Sequence, residues 1–334
     1  MFPHPVRRLY TPRMAADTVR RPWLPFFALV LSITAAACAN PAAQPVQEIT
    51  FLTASSPAFS RGLVEHYNRT LSFAHVSPKY LSGGASAVVA DLRAGAGQIG
   101  IAQQADAVYI AYRRGVEGDP TPYVNLRGIA VLWRNVLTVV VQSEGHYRSL
   151  TDLKGKRVGI FPAGTATEFL SRALLRAYGM TYSDVQAVFD RNSAAMMENG
   201  ELDAAIFVTP TLPDPIAAGL KQTRHLSVLS IPRSIINELL RAQPFLHPAL
   251  MSSSDWPDQS GALETVGIDA LLVCRGDLAE EVVYEFTKEF FAALPGLATS
   301  NSEAALVDVE KAPATPIPLH AGAARYYRER EVLK

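Results

Sequence analysis

Cysteine is nearly absent from this chain: 334 residues carry two, Cys38 and Cys274. Cys38 sits at the end of an N-terminal leader and is consumed or lost with it, so no internal disulfide can form. Cys274, inside the strand-like run ALLVCRG, reads as a small buried hydrophobe. Charge is also sparse, at 19% of residues, and no run of either sign occurs. That argues against a nucleic-acid arm or a disordered acidic tail. Patterns for local catalysis are missing as well. The histidines beyond the leader (His66, His75, His146, His225, His247 and His320) show no H-E-x-x-H or H-x₃₋₅-H spacing, and no cysteine cluster accompanies them. There is no G-x-S-x-G elbow, since Ser86 has a glycine two residues before it but Val88 two after. The literal G-x-G-x-x-G at Gly95, Gly97 and Gly100 comes between a helix and a strand, the reverse of the order that sets pyrophosphate on a helix start. Neither a metal nor a nucleotide cofactor is implied. A triad assembled from distant residues leaves no local trace, so an enzyme stays open only by default.

The N-terminus is distinctive. Arg7, Arg8, Arg13, Arg20 and Arg21 precede the apolar run Trp23–Ala37, which is shorter than the roughly 20 residues a spanning helix needs. Residues 1–37 therefore read as an export signal. Ala35-Ala36-Ala37-Cys38 resembles a bacterial lipoprotein box, although the place usually held by Leu is Ala35. Two outcomes stay open: lipidation of Cys38 with anchoring to a bacterial membrane, or plain cleavage to a free periplasmic product. Removing the leader takes five of the 31 basic residues and one of the 31 acidic ones, leaving a net charge of about −4. A mildly acidic surface does not suit nucleic acid or an anionic membrane as the main partner.

After the linker at residues 38–47, strand and helix signals alternate to about residue 300, the pattern of parallel sheets flanked by helices. EITFLTA, HVSPKYL and IGIAQQ are predicted strands, with helices over AFSRGLVEHYNRTL, ASAVVADLRAG and DAVYIAYRRG between and after them. LRGIAVLWRNVLTVVVQ reads as two strands meeting near Trp133–Asn135. A second series follows: KRVGIF, a helix from about Thr165 to Tyr178, VQAVF, LDAAIFV and HLSVLSI. TVGIDALLV then leads back toward the first series, and AEEVVYEFTKEFFAAL carries Val282, Val283, Phe286, Phe290 and Phe291 on one helical face. Two crossing strands predict a clamshell, with lobe I at 48–138 and 245–334 and lobe II at 139–244. Residues 243–264, with three prolines, are predicted to be a long connection over the surface or cleft rim.

Three strand-to-helix junctions carry hydroxyls or glycines: Thr53, Ser55 and Ser56; Ser82, Gly83, Gly84 and Ser86; and Gly164, Thr165 and Thr167. Helix starts leave unpaired N–H groups and partial positive charge, and ligands of open α/β sheets collect at the carboxyl ends of strands. At GIFPAGTATEFL no lysine is present to make a phosphate loop, so a small anion such as a carboxylate fits better. Ordinary helix capping is the competing reading at each junction. Gln103, Asp106 and Thr209 lie at further strand ends, and Asp106 suits an ammonium if the ligand is an amino acid.

The stretches DLKGKRVGIFPAGTATEFLSRALLRAYG, GELDAAIFV, TVGIDALLV and PLHAGAARYYRE resemble the TAXI family of TRAP-transporter substrate-binding proteins. SGGASAVVADLRAGAGQIGIAQQADAVYIA resembles the same family's first-lobe loop and helix, and the likeness runs over about Glu48–Glu329. The resemblance implies an α/β, two-lobed type II periplasmic binding fold with the ligand in the interlobe cleft. It also implies a small anionic or zwitterionic solute, an organic acid or amino acid, handed to TRAP-type membrane subunits on separate chains, without catalysis. An exported enzyme or sensory receptor on the same fold is the alternative. The sequence departs from the family at the site: Ser55, Ser56 and Phe59 replace a glycine-rich loop with a Tyr pair, GASAVV lacks an expected Asn, and Trp256 stands where Tyr is usual. Trp256 either packs on the ligand or closes the rim.

Overall fold

A computed structural model describes residues 46–54, 56–116, 118–212, 214–223, 225–251 and 262–333. One series of elements comprises β1 (Gln47–Thr53), α1 (Pro57–Thr70), β2 (Ala74–Tyr80), α2 (Gly84–Arg93), β3 (Ile99–Ala102) and α3 (Ala105–Arg114). β4 (Leu126–Gln142) leads to the second: β5 (Arg157–Ile160), α4 (Ala166–Ala177), β6 (Gln186–Phe189), α5 (Ser193–Glu198), β7 (Ala204–Thr209), α6 (Asp214–Ala218), β8 (Leu226–Val228) and α7 (Arg233–Ala242). β9 (Leu246–Met251), β10 (Leu263–Arg275), α8 (Glu280–Leu297) and α9 (Ala321–Glu329) complete the described chain. The strands join in one sheet of order β2-β1-β3-β10-β4-β7-β5-β6, with β9 beside β10 and β8 beside β4.

Among the described strands, parallel pairing joins β1 to β2 and β3, and β5 to β6 and β7. The two long strands at the centre run antiparallel to their neighbours, so the sheet is mixed rather than parallel throughout. Trp133–Asn135 does not divide two strands: Leu126–Gln142 is a single strand of 17 residues. It stays continuous because it pairs with β10 along its first part and with β7 and β8 along its second. Register shifts between Asp269 and Leu271 and between Leu272 and Val273 mark where the β4–β10 pair bends.

Alternation along the strands sorts side chains between cores on opposite faces. Phe51 of β1 and Ala270, Leu272 and Cys274 of β10 pack under α1 and α8, with Phe59, Tyr67, Phe286 and Phe290. Their neighbours Leu52, Leu271 and Val273 face α2 and α3. In the second series Leu137, Val139, Ile206 and Val208 lie under α4 and α7, and Val140, Ala205 and Phe207 face the other way. Four hydrophobic clusters, two about each half of the sheet, make this a two-lobed type II periplasmic binding fold joined by β4 and β10. Leu246, Val266 and Ile268 belong to the second lobe's core, so β9 and the start of β10 still lie beside that lobe.

The long connection predicted at 243–264 contains a strand. Leu246–Met251 pairs antiparallel with Leu263–Ile268 of β10 despite Pro248. Among the described residues β9 pairs with β10 alone, the edge setting in which a proline is tolerated in a sheet. Residues 252–261 lie outside the described residues. Helix α7, which the strand-helix reading passed over, packs Ile236 and Leu239 into the second lobe.

Candidate functional site

Three helix starts converge where the lobes face each other. Ser56 precedes α1 in the left-handed region (φ 53°), with Pro57 at the first helical position. Gly83 and Gly84 open α2 from the same lobe, and Thr165 is the N-cap of α4 from the other. Gly84 (φ +64°) and Gly164 (φ +82°) sit in positive-φ conformations. A Cβ on Gly84 would overlap the carbonyl oxygen of Gly164, and one on Gly164 would press on the carbonyl oxygen of Gly83. Glycine is required here because the lobes meet backbone to backbone, and the clamshell is closed at this point.

Behind that contact lies a cleft of about 400 Å³. Ser56, Gly84, Gln103, Thr165, Thr167 and Thr209 line it, as do Asn135, Arg191 and Glu303. Arg191 is the one basic side chain among its described lining residues. It stands on the second lobe between β6 and α5, and its guanidinium donates to the Ser82 carbonyl at 2.6 Å and the Ala54 carbonyl at 3.4 Å, both on the first lobe. Gln103 is held by its oxygen: Trp133 Nε1 donates to Oε1 at 3.2 Å and Asn135 Nδ2 at 3.0 Å. Those two donors fix the orientation of the amide, and its Nε2 has no partner. Thr209 Oγ1 and Glu303 Oε2 are likewise shut from solvent and unpaired. Three of the six such atoms among the described residues thus belong to this one cleft. Buried polar groups are normally satisfied, so their convergence marks a place for a polar guest.

Glu303 brings the opposite charge. Its Oε1 accepts from the Ser56 hydroxyl at 2.7 Å, and burial pushes its carboxyl above the usual range. No ion pair joins it to Arg191 among the described residues. The α4 hydroxyls are already engaged. Thr165 Oγ1 accepts from the Glu168 amide at 3.2 Å and donates to the Pro162 carbonyl at 2.7 Å. Thr167 Oγ1 accepts from the Val208 amide at 3.2 Å and so ties α4 to β7. What α4 offers the cleft is its first amides, Ala166 and Thr167, which stand before the capped one.

The remaining sequence candidates are placed elsewhere. Ser86, Asp106 and Gly164 line a second groove of about 550 Å³ on the other side of the Gly164 corner. Asp106 accepts there from Gln104 Nε2 at 3.2 Å, and burial raises its carboxyl. Phe59 is fully buried, edge-on to Trp133 at 5.1 Å between ring centroids. Cys38, Ser55 and Trp256 lie outside the described residues.

A family model matches residues 61–330. The chain belongs to the NMT1-like family. Solved structures similar to it include one from Bordetella bronchiseptica RB50, 14% identical over 85% of this chain and 82% of that one, with a TM-score of 0.50. The alkanesulfonate-binding protein SsuA from Xanthomonas axonopodis pv. citri, bound to MOPS, is 15% identical over 88% of this chain and 96% of its own, with a TM-score of 0.47. The periplasmic aliphatic sulphonate-binding protein SsuA from Escherichia coli is 13% identical over 86% and 89%, with a TM-score of 0.45. At these identities the Bordetella match speaks to the fold alone. This chain is thus a member of the NMT1-like family with a two-lobed periplasmic-binding fold. No helix among its described residues is long and apolar enough to cross a membrane.

Sequence reasoning missed Arg191, Asn135 and Glu303. Arg191 had a signal, since FDRNSAAM is a fourth strand-to-helix junction, but it carries no glycine and an arginine there reads equally as a surface residue. Glu303 had none, since it reaches the cleft through Ser56, 247 positions away in the chain.

Proposed function

We propose that this NMT1-like protein is the extracytoplasmic solute-binding subunit of a TRAP-type transporter of the TAXI kind, capturing a small carboxylate-bearing organic acid or amino acid between its lobes. The observation that carries this reading is the gathering of partnerless Gln103 Nε2 and Thr209 Oγ1 with the Arg191 guanidinium and the α4 start around one cleft. A carboxylate there would accept from Gln103, Arg191 and the amides of Ala166 and Thr167. Hydrogen bonds to a charged group contribute about 1.5–3 kcal/mol each, and micromolar affinity needs about 8 kcal/mol, so these donors suffice only if they act together. Contacts from both lobes would also favour closure, because only a ligand that binds the closed form better can shift that equilibrium. The leader and the TAXI-like motifs support delivery to TRAP-type membrane subunits. Cys38 is assigned as the lipidation site, which would tether the protein to a bacterial membrane.

Calorimetry and thermal shift against dicarboxylates, 2-oxo acids, amino acids and sulfonates test the binding reading. A ligand at 100 times its Kd is expected to raise Tm by roughly 5 °C or more. Arg191→Met should weaken it at least tenfold, mostly through faster dissociation. A folded protein that binds none of the carboxylates defeats the proposal. Co-purification with ABC-type rather than TRAP-type membrane subunits would reassign the delivery step. Mass spectrometry of the mature N-terminus checks Cys38.

A further inference from the structure

The cleft is chemically asymmetric, and Glu303 is the reason. Most of its wall offers donors: Gln103 Nε2, the Arg191 guanidinium and the first amides of α4. Glu303 alone among the described lining residues offers a carboxylate. Its backbone is held on both sides, its amide donating to Asn301 Oδ1 at 3.0 Å and its carbonyl accepting from the Leu306 amide at 3.1 Å. One carboxylate oxygen is used by Ser56, and the other is shut from water without a partner. Arg191, the one basic residue among the described lining residues, donates to Ala54 and Ser82 and makes no ion pair with it.

A ligand made only of acceptors, such as a dicarboxylate, an oxo acid or a sulfonate, would satisfy the donor wall. It would also bring negative charge beside a half-paired carboxylate whose free oxygen is shut from solvent, and like charges so placed cost free energy. A ligand with an ammonium next to its carboxylate would satisfy both walls. Selectivity of this kind is strong because the wrong ligand leaves a buried polar group unpaired. Asp106, the carboxylate that its strand-end position pointed to for this task, faces the other groove.

We propose that Glu303 is the specificity-determining residue of the cleft and that it reads a cationic nitrogen, so the site takes amino acids in preference to acids of the same carbon skeleton that lack one. The proposal rests on the cleft being the solute site. It is tested by calorimetry at neutral pH with two probe series: L-leucine with its 2-oxo and 2-hydroxy counterparts, and L-glutamate with its own. In whichever skeleton binds, the amino acid is expected to bind at least tenfold tighter than both analogues. Glu303→Gln should weaken the amino acid at least tenfold while leaving the oxo acid unchanged or improved, since an amide can donate to it. The wild-type series stands on its own if the variant does not fold. Oxo or hydroxy acids that bind as tightly as the amino acid overturn the role of Glu303 and leave the cleft reading intact, as does a variant that weakens all three equally. Failure of both series in a folded protein that binds another dicarboxylate or oxo acid overturns this proposal alone; failure of every carboxylate overturns the cleft reading with it.

Discussion

At the residue scale, Glu303 shows a fold accepting a loss of stability at a point where a ligand would remove it. Burial raises its carboxyl above the ordinary glutamate range. A raised acid binds its proton more tightly in the folded chain than in the unfolded one, so its effect turns unfavourable as pH rises through and above that ordinary range. Glu303→Gln is therefore expected to melt higher than the wild type at pH 7 and equal to it below about pH 4, the ordinary glutamate pKa being near 4.3. Thermal denaturation at the two pH values checks this; equal melting at both would mean that the side chain is already relieved by solvent. Thr165 makes a contrasting case. Its hydroxyl caps α4, so Thr165→Ala should lose about 0.5–2 kcal/mol of stability in chemical denaturation. An unchanged ligand affinity in the same variant assigns the hydroxyl to capping alone. Thr165 was legible in the sequence because a cap is a local pattern. Glu303 was not, because what surrounds it comes from the far end of the chain.

Elements explain why the helix starts meet and why the C-terminal motif is there. Gly84 and Gly164 allow two backbones from opposite lobes to touch, and any side chain at 84 would strike the Gly164 carbonyl. Gly84→Ala is therefore expected to hold the lobes apart. Small-angle scattering in saturating ligand should give a larger radius of gyration than the wild type, and affinity should fall at least tenfold. Full closure with normal affinity would show that the α2 start can shift without loss. PLHAGAARYYRE, one of the stretches that resemble the TAXI family, builds the first lobe. His320 caps α9 by accepting from the Gly322 amide at 3.2 Å and also meets the Leu278 carbonyl at 3.1 Å. The Tyr327 hydroxyl donates to the Ile129 carbonyl of β4 at 2.9 Å, and Tyr326 stacks on Phe291 of α8 at 5.3 Å. Tyr327→Phe leaves a buried carbonyl short of a partner, and a loss of roughly 1–3 kcal/mol is expected in urea unfolding. The residues of this stretch thus serve packing and capping.

For the molecule as a whole, two strands govern function because both halves of the sheet share them. β4 and β10 pair along much of their length, and their register shifts put the bend in the strands rather than in loops. A closing motion of the lobes would then flex one mixed sheet, with Arg191 and the Gly84–Gly164 contact at the cleft. The sequence by itself determined most of the alternation of strands and helices, the α8 stripe and the strand ends that open helices. All of these follow from short-range periodicity and capping, which few residues encode. Tertiary structure alone decided that residues 126–142 run as one strand and that 246–251 pair with β10. It decided that Asp106 and Ser86 turn to a different groove from Gln103 and Thr209. It also set Arg191 and Glu303 in the cleft. Each of those outcomes depends on contacts between distant parts of the chain, where a side chain's role is set by what the fold brings against it and not by its neighbours in sequence.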